Sequence, residues 1–163
     1  MPSFAKFDAS QIKNKVILLD IDGTVIHDGH DEIGEDILNK VEELRNNRNK
    51  IYLCSSQEDH YRHRALAKFL KVEYIEANLH KPTKKILKLI SKPKTKKLVV
   101  IGDKYLVDGR LAKVLRAEFV KVGLAASVKE SFIRRIFYKI ESSESLLACP
   151  PKTDPFAVLG FGS

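Results

Sequence analysis

Apolar residues in this chain gather in short unbroken runs set between longer stretches of helical spacing. Val16-Ile17-Leu18-Leu19, Ile51-Tyr52-Leu53-Cys54 and Leu98-Val99-Val100-Ile101 are the clearest runs. Each is too short for a helix and lacks the alternation of a strand with one wet face. Each therefore predicts a strand buried on both sides, as in a parallel sheet. Residues 35–47 put Ile37, Leu38, Val41 and Leu44 on one helical face, and residues 58–70 do the same with Tyr61, Ala65, Leu66 and Phe69. Weaker patterns predict a short strand at 72–76, a helix at 83–90 behind Pro82, a helix at 106–116 and a last strand at 118–122. Strands alternating with helices predict an α/β fold, a Rossmann-like three-layer sandwich around a central parallel sheet.

The flanks read differently. Residues 1–14 are polar apart from Phe4 and Phe7 and predict an ordered arm or frayed lead-in. Residues 25–33 are rich in turn formers and carry His27 and His30, as expected of a flap beside the first strand. Residues 131–140 form a basic amphipathic pattern, suited to packing on the sheet or lying on an anionic membrane surface. From residue 142 to 163, serines, prolines and glycines predict an extended or mobile tail behind a single domain spanning 1–141.

Length and charge narrow the picture. One domain of 163 residues is large enough to bury a core, and its formal net charge of +8 favours anionic partners. No window approaches the roughly 18 apolar residues of a membrane span. Residues 1–15 lack the apolar core of a secretory signal. Cys54 lies in an apolar run and Cys149 in the tail, so no disulfide framework is expected. These features point to a cytoplasmic protein, peripheral at a membrane if it meets one.

Chemistry concentrates where the apolar runs stop. The first ends in Asp20-Ile21-Asp22-Gly23-Thr24, the second in Ser55-Ser56, the third in Gly102-Asp103, and Lys81 lies between the last two. A calcium loop is excluded, because the position six after Gly23 is Gly29 rather than Glu. In an open parallel sheet, strand ends share one rim, where ligands bind. Carboxylates there suit a hard cation such as Mg²⁺, while hydroxyls and an ammonium suit phosphate oxygens. His60 and His63 stand at metal-ligand spacing but lack an acidic or cysteine partner at ligand spacing, which argues against zinc.

These four segments, in this order, resemble the motifs of the haloacid dehalogenase superfamily. Asp20-Ile21-Asp22-Gly23-Thr24 is similar to its Asp-x-Asp-Gly-Thr motif, Ser55 to its hydroxyl motif, Lys81 to its basic motif, and Gly102-Asp103 through Asp108 to its Gly-Asp-x₄-Asp motif. The resemblance covers residues 16–122. It implies a Mg²⁺-dependent phosphatase working through an aspartyl-phosphate. Asp20 would be the nucleophile and Asp22 the acid and base. Asp20, Asp22 (through its main-chain carbonyl), Asp103 and Asp108 would hold the metal. Ser55, Ser56, Lys81, Gly23 and Thr24 would surround the phosphate.

The gaps between motifs are too short for the cap domain of many relatives, so an open site and a large phosphorylated substrate are expected, or closure by a second copy in a homo-oligomer. The Lys81-Pro82 pair and the spacing from Gly102 to Asp108 resemble the capless branch that includes phosphatidylglycerophosphate phosphatases. Ser55-Ser56-Gln57 departs from that branch's Ser-Asn-Asn, and residues 109–113 depart from its Gly-rich Asn-Arg stretch. The expected substrate is thus a phospholipid or macromolecular phosphate ester. Phosphatases of nucleic-acid ends or phosphoproteins, and a catalytically silent binding module, are the alternatives. No Arg/aromatic platform favours nucleic acid.

Overall fold

The computed structural model describes residues 1–27, 33–76, 80–91, 93 and 95–124. Most of the flap, including His30, the basic stretch at 131–140 and the tail fall outside the described residues. Five strands form one all-parallel sheet: β1 (Val16–Leu19), β2 (Lys50–Leu53), β3 (Glu73–Tyr74), β4 (Leu98–Gly102) and β5 (Glu118–Lys121). Their spatial order is β3-β2-β1-β4-β5. The chain leaves β1 in one direction to build β2 and β3, then crosses back to build β4 and β5. That reversal puts a topological switch point between β1 and β4.

The unbroken apolar runs are explained by burial on both faces. Ile17 and Leu19 point to one side with Leu53, Val99 and Ile101, where α1 (Glu35–Asn46) and α2 (His60–Leu70) supply Ile37, Val41, Leu44, Leu66 and Leu70. Val16 and Leu18 point to the other with Tyr52 and Val100, where Ile86, Ile90 and α3 (Arg110–Leu115) supply the cover. The molecule is thus a Rossmann-like α/β sandwich with a core on each side of the sheet. The polar lead-in is ordered: Phe4 and Phe7 are buried against the α1 side, and Ser3 bridges to Gly123 beyond β5. No helix among the described residues is long and apolar enough to cross a membrane.

Three elements differ from their sequence signals. The expected helix at 83–90 is a short 3-10 turn, Lys84–Lys88, because only Ile86 and Ile90 reach the core while Leu87 and Leu89 stay exposed. The expected helix at 106–116 is split into a π-helical turn, Tyr105–Gly109, followed by α3. Inserting a residue there lets Asp108 face inward, so local hydrogen bonding gives way to placement of a carboxylate. α2 begins at His60 rather than at residue 58, since the Asp59 side chain caps it by accepting from the Arg62 N–H.

Candidate functional site

The turn after β1 is wound around one carbonyl. The N–H groups of Thr24, Val25 and Ile26 all point to the Ile21 oxygen, at 3.2, 2.9 and 3.1 Å. This winding needs Gly23 at φ +88°, where a Cβ would also stand 2.8 Å from Asp103 Oδ2. At the end of β4, a Cβ on Gly102 would run into the Asp108 carboxyl. Gly23 therefore lets the β1 turn close on Asp103 beyond β4, and Gly102 lets the Asp108 carboxyl fold back onto the end of β4.

Asp20, Asp103 and Asp108 meet in that closure, each offering an oxygen within 4.8 Å of the others. Asp20 and Asp108 are buried and Asp103 is half-buried. Lys81, its side chain 1% exposed, reaches in from the loop after β3. It donates to Asp20 Oδ1 at 2.5 Å and to Asp108 Oδ1 at 2.9 Å. Thr24 Oγ1 lies 3.3 Å from both Asp20 Oδ2 and Asp103 Oδ1, and its single proton serves one of them at a time. The Lys104 N–H donates to Asp108 Oδ2 at 3.3 Å.

Electrostatics follow from this packing. Burial pushes Asp20 up, Lys81 pulls it down, and Asp108 and Asp103 push it up again, so its carboxyl titrates at about 6. Burial works against the Lys81 charge too, but Asp20, Cys54 and Asp108 outweigh it and hold the ammonium above its ordinary range. Burial lifts Cys54 to about 11, so it sits beside the cluster as an inert thiol.

Three carboxylates facing one ammonium carry an excess of two negative charges when all are ionised. An all-oxygen donor set with that excess fits a hard divalent cation, and half-buried Asp103 leaves a side on which such an ion can keep water. The donor set does not distinguish magnesium from other hard cations.

Asp22 belongs to a different group. Its carboxylate lies outside the three-acid cluster and forms an ion pair with Arg62. The Ser55 hydroxyl stands 3.3 Å from Asp22 Oδ2 and also accepts from the Gln57 N–H at 3.0 Å. His63 Nε2 lies 3.6 Å from the same Asp22 oxygen. Burial pushes Asp22 up, yet His63 and Arg62 together outweigh it and hold its carboxyl below the ordinary range. Ser56 is exposed on the Ser55 turn, and His27 is half-buried at the flap's start.

Arg62 and His63 were not among the residues expected at the site. An arginine on an amphipathic helix reads as solvated, and the His60/His63 pair reads as metal spacing. In the fold, both histidines turn Nδ1 toward the Tyr74 hydroxyl, at 2.7 Å for His60 and 3.3 Å for His63.

The raised Asp20 pKa predicts a pH dependence in the metal-free protein. Below pH about 4, folded and unfolded chains both hold the proton. Between about 4 and 6 the unfolded chain releases it first, so stability falls as pH rises through that window. The full loss is roughly 3 kcal/mol. Urea midpoints in EDTA, wild type minus Asp20→Asn, should show this decline, and a flat difference would contradict it. No family model matches this chain, and no curated protein or solved structure does.

Proposed function

We propose that this protein is a divalent-cation-dependent phosphatase of the haloacid dehalogenase type, hydrolysing phosphate monoesters through an aspartyl-phosphate. The observation that carries this reading is the meeting of Asp20, Asp103, Asp108 and buried Lys81 at the switch point of a parallel sheet. Asp20, Asp103 and Asp108, together with the Asp22 main-chain carbonyl, would hold the cation, magnesium on this reading. When bound, it would supply charge neutralisation for the cluster and for a phosphoryl group.

The chain's own residues divide the remaining work. Asp20 is the nucleophile: its oxygen bonds to phosphorus as the ester P–O bond breaks. Lys81 orients Asp20 through Oδ1 and places its positive charge where phosphoryl oxygens arrive. Asp22 gives a proton to the leaving oxygen, then takes one from the water that cleaves the acyl phosphate. Its low pKa favours the second role, so it must be loaded with a proton before the first. Ser55 adds a hydroxyl beside Asp22.

Tyr61, Tyr105 and Leu106 are exposed on the turns that carry Arg62 and Asp108. On this reading those apolar side chains would suit a substrate with an apolar body, a phospholipid before a sugar phosphate. p-Nitrophenyl phosphate should be hydrolysed with Mg²⁺ and not in EDTA. Absence of hydrolysis with any of Mg²⁺, Mn²⁺ or Co²⁺ would remove the reading. A panel of phospholipid, oligonucleotide phosphate, phosphopeptide and sugar phosphate then ranks the substrates.

A further inference from the structure

The reading above leaves His63, Tyr74 and His60 unused, although they lead directly to Asp22. His63 is fully buried on α2, and among the described residues its Nε2 has no hydrogen-bond partner closer than Asp22 Oδ2, at 3.6 Å. Its other nitrogen stands 3.3 Å from Tyr74 Oη, which stands 2.7 Å from His60 Nδ1. The four side chains make one line from Asp22 to the half-buried first turn of α2.

With a neutral His63 ring, the hydrogens along that line can run in one direction. Asp22 forms a buried ion pair with Arg62, so a bare lone pair on His63 Nε2 would face a carboxylate oxygen. When the ring is neutral, Nε2 therefore carries the hydrogen and Nδ1 is the acceptor. The single Tyr74 hydroxyl hydrogen must then go to His63 Nδ1. Tyr74 oxygen, in turn, accepts from His60 Nδ1–H. Every donor points toward Asp22. For a neutral ring, the opposite direction would need His63 to present its lone pair to the carboxylate.

We infer that Tyr74 and His63 are positioning residues for Asp22: Tyr74 selects the Nε2–H form of His63, which orients the Asp22 carboxylate toward the proposed reaction. This gives the edge strand β3 a part in the site, since Tyr74 is fixed in register with Leu53 of β2. Other charged groups around the line are Asp59 at the cap before α2, Arg62 on α2, and Arg64 paired with Glu76 at 3.8 Å. None of them supplies a hydrogen to His63 Nδ1 among the hydrogen bonds of the described residues. Only the kinetic part of this inference rests on the proposed phosphatase function.

The test is nitrogen-15 NMR of the full chain at pH 8, above the ordinary histidine range. Wild type should show His63 protonated on Nε2 and His60 on Nδ1. Tyr74→Phe keeps the ring and removes the hydroxyl. It should give mixed His63 tautomers and move the Asp22 carboxyl carbon-13 resonance. It should also lower kcat on p-nitrophenyl phosphate about tenfold with KM little changed, the usual scale for a group acting through a site residue. A His63 that carries its proton on Nδ1 overturns the inference, as does an unmoved Asp22 resonance in Tyr74→Phe. Wild-type kcat in that variant overturns it too, since a merely structural hydroxyl would cost stability alone. Should wild type hydrolyse no phosphate ester, the phosphatase reading fails, and the two NMR signals still decide whether Tyr74 orders Asp22.

Discussion

Asp20→Asn is expected to lower turnover of any phosphate ester by at least about a thousandfold, while making the metal-free protein more stable above pH 6. The two effects have one cause. Asp20 is buried beside two further carboxylates, and a single ammonium does not offset all three. Asparagine has the same shape and no charge, so the repulsion goes and so does the nucleophile. Lys81 keeps Asp108 as a partner. Steady-state hydrolysis and urea unfolding of one preparation check both halves. Wild-type turnover in the variant would remove the covalent mechanism. Lost turnover with lost stability would instead place Asp20 among the structural residues.

Lys81→Met tests the same balance from the other side. Methionine keeps the length of the side chain and drops the charge, leaving Asp20, Asp103 and Asp108 together without the ammonium that pairs with two of them. Breaking a buried ion pair in this way costs roughly 3–5 kcal/mol at neutral pH. The sign with pH follows. Without the ammonium, the carboxylates titrate higher still, so the variant should approach wild type near pH 5 and fall away from it as pH rises. A divalent cation should restore part of the loss, because it binds the folded cluster and not the unfolded chain. Thermal melts at pH 5 and 7.5, with EDTA or Mg²⁺, separate these effects. A melting temperature that is unchanged in EDTA at pH 7.5 would show that Lys81 does not carry the electrostatics of the cluster.

The placement of Arg62 shows where sequence reasoning ran out. Arg62 and Asp22 stand 40 residues apart and on different elements. The contact exists because α2, capped by Asp59, packs Leu66, Ala67 and Leu70 into the core, which brings Arg62 and His63 to Asp22. Nothing periodic records that meeting. The same holds for the split after β4, where a π-helical turn outcompetes the helix the apolar spacing predicts so that Asp108 can face Lys81.

By itself, the sequence determined the parallel sheet and the residues at its strand ends. Burial on both faces leaves apolar runs no alternative, and a run that stops in acids or hydroxyls marks its own end. Only the tertiary structure decided how those residues are grouped. It set the Asp22 carboxylate apart from the three-acid cluster, gave it Arg62 and His63, and brought Tyr74 to His63 from an edge strand two residues long. The physical reason is one of range. Strand and helix periods are written in neighbouring residues, whereas charge compensation in a buried site is settled between elements that meet only after the chain has folded.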